Sequence, residues 1–261
     1  MKTRNQTLGD FSESLVLANS FDQRFLLFCD VVQNLGFQGA TYTFIPYIRS
    51  KLPQPNAPIF SASDGFPASF LEEYAARDLS QSDFTLRRVG EYHFSPMDWR
   101  QYEKEERITE SEKEVVLSAR HDHGVTNAIT IPTMPGQTRS LGIAGASIVS
   151  ANRDRQFLML KKANLETLTA CTYLFHSICH SQSDLSKIFV WPLFSELNSK
   201  DLEILRFIAS GQIPKQFADQ VKLTNGSVYR KLDMVRERYG IATLSELCYL
   251  FGLYNLLDRN L

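Results

Sequence analysis

The chain has 261 residues, 43% of them hydrophobic and 22% charged, with a formal net charge of −1. This is the profile of a globular protein with room for one large or two modest domains. No apolar run nears the roughly 20 residues that span a bilayer, and the start, MKTRNQTLGDFSES, lacks the apolar core of a secretory signal.

Cys29, Cys171, Cys179 and Cys248 form no C-x-x-C pair and read as buried thiols of a reducing cytoplasm. Charge is uneven along the chain. Residues 197–261 carry nine Lys/Arg and seven Asp/Glu, and residues 1–196 carry nineteen and twenty-two. A nucleic-acid reading therefore rests on where the charges sit, not on their total.

From the start, Ser12 to Leu35 reads as helix, broken near Asn19-Ser20, with Phe25, Leu26, Val31, Val32 and Leu35 on its apolar face. Gly36 and Gly39 stop it. Ala40 to Pro46 is β-branched and aromatic and predicts a strand, and Ile59 to Ser63 a second. Between them, Lys51 to Pro58 holds three prolines and reads as a loop. Short helices follow at Pro67 to Arg77 and Gln81 to Arg88. Thr109-x-x-Glu112 is a capping box for a helix to His121. Two strands, Asn127 to Pro132 and Leu141 to Ser150, are joined by a turn at Met134-Pro135-Gly136 that predicts antiparallel pairing. Arg153 to His180 then reads as one long helix striped by Leu158, Leu165, Leu168, Thr172, Phe175 and Cys179. These elements predict an α/β (α+β) unit over residues 1–181, with helices flanking a mainly antiparallel sheet and space for a cavity beside it. Residues 182–196 read as a linker, whose apolar run Ile188 to Leu193 packs against something.

From Leu197 to Leu250 the pattern predicts four short helices. Asn198 caps the first, which faces inward through Leu202, Leu205, Ile208 and Ala209 and ends at Gly211. Pro214 opens the second, carrying Phe217, Ala218 and Val221. A turn at Lys222-Leu223 leads to Thr224, which caps the third. On that helix Leu232, Val235 and Tyr239 stay within about 40° of Val228 at 100° per residue. Gly240 closes it, and Thr243 with Glu246 forms a capping box for the fourth. Helix, short turn and basic helix is the plan of a helix-turn-helix. An ordinary amphipathic helix with a solvated charged face would show the same pattern.

This stretch resembles the C-terminal DNA-binding domain of LuxR-type transcription regulators. The resemblance is carried by Glu203, Leu205, Ala209-Ser210-Gly211, Leu223-Thr224-Asn225-Gly226-Ser227-Val228 and Arg238-Tyr239-Gly240, with departures at Phe217 and Gly226. It implies a homodimer on two-fold-related double-stranded DNA, since one such domain reads few bases. Asn225 and Arg230, flanked by Tyr229 and Asp233, would meet base edges, and Lys215, Ser227 and Lys231 would meet phosphates.

The first domain also resembles that family, in which an α-β-α sandwich holds an acyl-homoserine lactone. The spacing runs through Phe66-Pro67, Phe70, Tyr74, Asp83-Phe84 and Trp99, then Asn127 to Pro132 with Ala128 where the family has Gly, then Leu141 to Ser147. The resemblance implies a ligand site of Phe70, Tyr74, Asp83, Phe84, Trp99, Ala128 and Ala144. Asp83 would accept an amide N–H, Tyr74 would offer its hydroxyl to a carbonyl, and Trp99 would cover the ring end. Phe70 replaces a family Trp that donates to the lactone carbonyl, so that donor is missing. By pattern alone, Phe70, Tyr74 and Trp99 would be plain aromatic core.

His121-x-His123 and His176-x-x-x-His180 have spacings a metal could use but no partner carboxylate motif, and no metal or other cofactor is expected. No nucleophile elbow or Cys/His signature suggests an enzyme. The expectation is a small-molecule-responsive, quorum-sensing type regulator without membrane contact. Its rival is a ligand-independent regulator, or an inhibitor acting through mixed dimers with a homologous regulator.

Overall fold

The computed structural model describes residues 4–48, 59–133, 141–222 and 224–257. The proline-rich loop expected over Lys51 to Pro58, the Met134–Gly136 turn and Leu223 lie outside the described residues. The described chain divides into two compact units. The first runs to Phe44, resumes at Ile59 and ends at Gln182; the second starts at Ser183 and includes residues 45–48 and 141–142. No helix among the described residues is long and apolar enough to cross a membrane.

The first unit opens with α1 (Arg4–Leu17) and α2 (Phe21–Asn34). The break falls where the sequence put it, because Ser20 adopts an extended conformation and its side chain accepts from Gln23 N. On α2 the buried face is Phe21, Phe25, Phe28, Cys29 and Val32, at steps of three and four. Leu26, expected on that face, is 63% exposed, since it follows Phe25 by about 100° of helix rotation.

The sheet holds β1 (Gly39–Pro46), β2 (Phe60–Ala62), β3 (Met97–Asp98), β4 (Asn127–Pro132) and β5 (Gly142–Ser150) in the order β2-β1-β5-β4-β3. The β1–β2, β3–β4 and β4–β5 pairs are antiparallel, with Thr130 opposite Ser147. Alternation along each strand gives the sheet two different faces. On β1, Tyr42 points to one side, where its ring meets Phe21 and Phe175. Phe175 lies on α7 (Asp154–Ser181), which packs with α1 and α2. Leu158, expected in the α7 stripe, is 53% exposed; Phe157 is buried in its place, one residue round the helix.

The other face of the sheet is covered by α3 (Ala68–Ala76), α4 (Phe84–Gly90), α5 (Trp99–Lys104) and α6 (Glu110–His121). The Thr109–Glu112 capping box is formed. The helix expected over Gln81 to Arg88 is split at Asp83, which caps α4 through Thr85 N. The sequence pattern missed β3 and α5, which are two and six residues long and too short for a clear period. Gly65 sets the approach to α3. A Cβ there would lie 2.0 Å from Gln38 O, so only glycine lets this loop sit against the start of β1.

The second unit holds α8 (Ser199–Ala209), α9 (Pro214–Gln220), α10 (Asn225–Arg238) and α11 (Leu244–Leu253). Asn198, Pro214, Thr224 and Thr243 open these helices as expected, and Gly211 and Gly240 have φ of 88° and 64°. Thr243 Oγ1 accepts from Glu246 N, half of the expected box, and the Glu246 carboxylate accepts from Ala242 N. Ile204 and Leu205 form the buried centre of α8, while Leu202 and Ile208 are half-buried and Ala209 is exposed. Val221, beyond the last turn of α9, is 37% exposed. On α10, Val228, Leu232 and Val235 are buried, with Tyr239 following. Residues 183–196 are folded onto this unit. Phe189, Val190, Leu193 and Phe194 are buried, and Phe194 lies 4.9 Å from both the Tyr239 and Phe251 rings.

Candidate functional site

A cavity lies between the sheet and α3, α4 and α5 in the first unit. Its floor is Thr41 and Thr43 on β1, Ile143, Gly145 and Ser147 on β5, and Thr130 and Pro132 on β4. Its walls are aromatic and aliphatic, with Phe60, Phe66, Phe70, Tyr74, Trp99 and Leu71 among them. The Phe70 ring stands edge-on to Tyr74 at 6.0 Å and to Trp99 at 6.4 Å. About 60 Å³ is open to the centres of water-sized molecules. That holds a few waters, so a long acyl chain would need the walls to part.

One half-buried carboxylate faces this space. Asp83 Oδ2 accepts from the Tyr74 hydroxyl at 2.9 Å, and Oδ1 accepts from Thr85 N at 2.8 Å and Thr85 Oγ1 at 2.7 Å. Burial pushes the Asp83 carboxyl above its ordinary range, against the pull of these bonds. Burial and the adjacent carboxylate also push the Tyr74 phenol up, so it stays a neutral donor.

A second polar chain crosses the floor. Trp99 Nε1 donates to Thr130 Oγ1 at 2.8 Å, and Thr130 Oγ1 lies 2.8 Å from Ser147 Oγ. The indole proton is thus committed. The two hydroxyls share one bond between them, which leaves one hydroxyl proton for a further acceptor.

Of the residues singled out by sequence, Phe70, Tyr74, Asp83, Trp99 and Ala144 line this cavity. Phe84 lines a smaller adjoining space with Glu112, Val115 and Val116. Ala128 is 1% exposed in the same apolar cluster but is absent from both linings. Sequence reasoning missed the hydroxyl row Thr41, Thr43, Thr85, Thr130 and Ser147. Its signal was alternation, since Thr41 and Thr43 recur at the two-residue period of a strand face.

One histidine of each pair has a partner of its own. His123 meets Ser69 and Glu73. His176 lies 2.7 Å from the Tyr42 hydroxyl, and burial pushes its imidazole down to about 4. Among the described residues, no group of three or more His, Cys, Asp or Glu is placed to hold a metal.

In the second unit α9 packs against α10, and α10 turns a polar face outward. Asn225, Ser227, Tyr229, Arg230 and Asp233 are exposed there, as is Lys215 on α9. Asp233 pairs with Arg236 one turn on. Lys231 is placed differently. Its Nζ lies 3.7 Å from Asp201 Oδ1, and its side chain is 34% exposed, so it ties α10 to the capped start of α8.

Residues 20–177, more than half of the chain, match the autoinducer binding domain family. No curated protein is matched. The fold is similar to that of Escherichia coli SdiA, at 14% identity and a TM-score of 0.56, with 98% of each chain covered. It is also similar to SdiA in complex with octanoyl-rac-glycerol, at 15% identity and a TM-score of 0.52, with 99% of each chain covered. At such identities the likeness speaks for the fold. The chain belongs to the autoinducer binding domain family.

Proposed function

We propose that this protein is a cytoplasmic transcription regulator of quorum-sensing, LuxR type. Its first unit senses an acyl-homoserine lactone or a related acyl signal, and its second unit binds double-stranded DNA as part of a homodimer. The observation that carries the sensing half is the half-buried, desolvated Asp83 carboxylate lining an aromatic cavity, within the segment matched by the family. An acceptor in an apolar site selects a ligand that brings a donor, and an acyl amide or a hydroxylated acyl ester does so. SdiA, of similar fold, has been solved with octanoyl-rac-glycerol, which supports testing an acyl ester beside the lactone. The DNA half is supported by the exposed polar face of α10 and the capped turn before it.

A second reading has its own support. The cavity is small, and Phe70 brings no donor to its wall. Both suit a protein that regulates without ligand, or that inhibits a homologous regulator by forming mixed dimers.

The test combines thermal unfolding with N-octanoyl homoserine lactone or octanoyl-rac-glycerol and a gel shift on DNA from upstream of the protein's own gene. A ligand-dependent rise in melting temperature together with a ligand-dependent shift is expected. DNA binding with no response to either compound favours the ligand-independent reading. Neither response overturns both halves.

A further inference from the structure

The α3 wall of the cavity is gripped from outside. Ser69 and Glu73 lie one helical turn apart on α3, and each directly precedes a cavity residue, Phe70 and Tyr74. His123, in the turn after α6, reaches both. Its Nδ1 is 2.8 Å from Ser69 Oγ and its Nε2 is 2.6 Å from Glu73 Oε2. The same imidazole lies 5.6 Å from the Phe70 ring, centre to centre. Ser118 on α6 donates to the same Glu73 oxygen at 3.2 Å. The His123 side chain is only 11% exposed, so water competes poorly for it. The bonds from His123 and Arg77 hold the Glu73 carboxyl below its usual range, as a carboxylate that remains an acceptor.

A bridge to one point of a helix fixes a distance. A bridge to two points at i and i+4 also restrains rotation about the helix axis. Rotation is what decides whether Phe70 and Tyr74 face the cavity or slide along its rim. The arrangement works with either charge on the ring. A neutral imidazole donates from Nε2 to Glu73 and accepts at Nδ1 from the Ser69 hydroxyl; an imidazolium donates to both.

We propose that His123 is a positioning residue of the ligand cavity: through Ser69 and Glu73 it sets the rotation of α3, and with it the placement of Phe70 and Tyr74. The inference rests on the reading of this cavity as the ligand site, and its test is chosen to separate the two.

The test uses full-length protein and two readouts. The first is the indole N–H resonance of Trp99 without ligand, which reports on the neighbouring Phe70 ring. The protein has two tryptophans, so a Trp191→Phe variant assigns the signal. The second is the Kd for N-octanoyl homoserine lactone and for octanoyl-rac-glycerol. His123→Ala should move the Trp99 resonance and weaken whichever probe binds the wild type by about tenfold. His123→Gln should restore both, because its amide can accept from Ser69 and donate to Glu73. If His123→Ala does not fold, Ser69→Ala removes half of the bridge and should still move the resonance. A lowered melting temperature with the Trp99 resonance and the Kd unchanged would make His123 a plain structural contact and overturn the proposal. If the wild type binds neither probe, the ligand reading fails, and the Trp99 resonance alone decides whether His123 sets α3.

Discussion

Replacing Thr130 with Val tests the polar chain across the cavity floor. The two side chains have nearly the same shape, and Thr130 is 6% exposed, so the change removes one oxygen and little else. That oxygen accepts from Trp99 Nε1 at 2.8 Å. Trp99 is 9% exposed, so its N–H would be left buried without a partner. A buried unpaired donor costs about 1–3 kcal/mol. Ser147 also loses a partner, but it is only half-buried and can turn to another acceptor. For a folded unit of this size each kcal/mol lowers Tm by roughly 2–4 °C, which gives a drop of roughly 2–12 °C. The assay is denaturant unfolding in a double-mutant cycle with Trp99→Phe, which removes the donor instead of the acceptor. A coupling of about 1–2 kcal/mol is expected between the two sites. If Thr130→Val is as damaging with Phe at 99 as with Trp, the indole bond contributes nothing, and the polar-chain argument is wrong.

Two further outcomes follow from the geometry. Desolvation raises the Asp83 carboxyl above the ordinary carboxylate range, so the folded protein holds this proton to higher pH than the unfolded chain. Stability from this group therefore falls as pH rises from the unfolded value through the raised folded value. Asp83→Asn removes that loss. Its stability relative to wild type should be lowest in acid and improve towards neutral pH, while ligand affinity falls; a pH-independent difference in Tm would refute the assignment. On the second unit, Arg230→Ala should relax preference at one base position in a binding-site selection, whereas Lys215→Ala should weaken all sequences alike and flatten the salt dependence by about 0.9 in log–log slope. Equal loss across sequences for both variants would refute that division.

Much of the second unit was legible because helix punctuation is local. A cap needs only its own side chain and an N–H two or three residues on, so Asn198 and Thr224 could be read directly. The inner face of α10 was legible for the same reason. The errors lie one residue round a helix, at Leu26 and Leu158, or at a helix end, at Ala209 and Val221. Those positions are decided by the neighbour that arrives, which pattern does not name.

Lys231 shows the limit most clearly. By sequence it is a basic residue on a recognition helix, and the structure turns it to Asp201, thirty positions earlier. His123 is the same case on the first unit. It reads as half of a weak metal spacing, and the fold makes it a bridge to residues fifty or more positions away.

The sequence by itself determined most of the elements and the antiparallel pairing of β4 with β5, and its resemblance to a known family pointed to the aromatic and acidic residues that line the cavity. The elements follow from period and caps, which act over a few residues; period alone would leave the aromatic residues as plain core. The tertiary structure decided which hydroxyls form the cavity floor, how little space lies between floor and walls, and which donors are already committed. Hydrogen bonds between strands and helices far apart in sequence set these features, and a buried donor has one proton to give. Only when Trp99 is seen spending its proton on Thr130 is it clear which groups remain to hold a ligand.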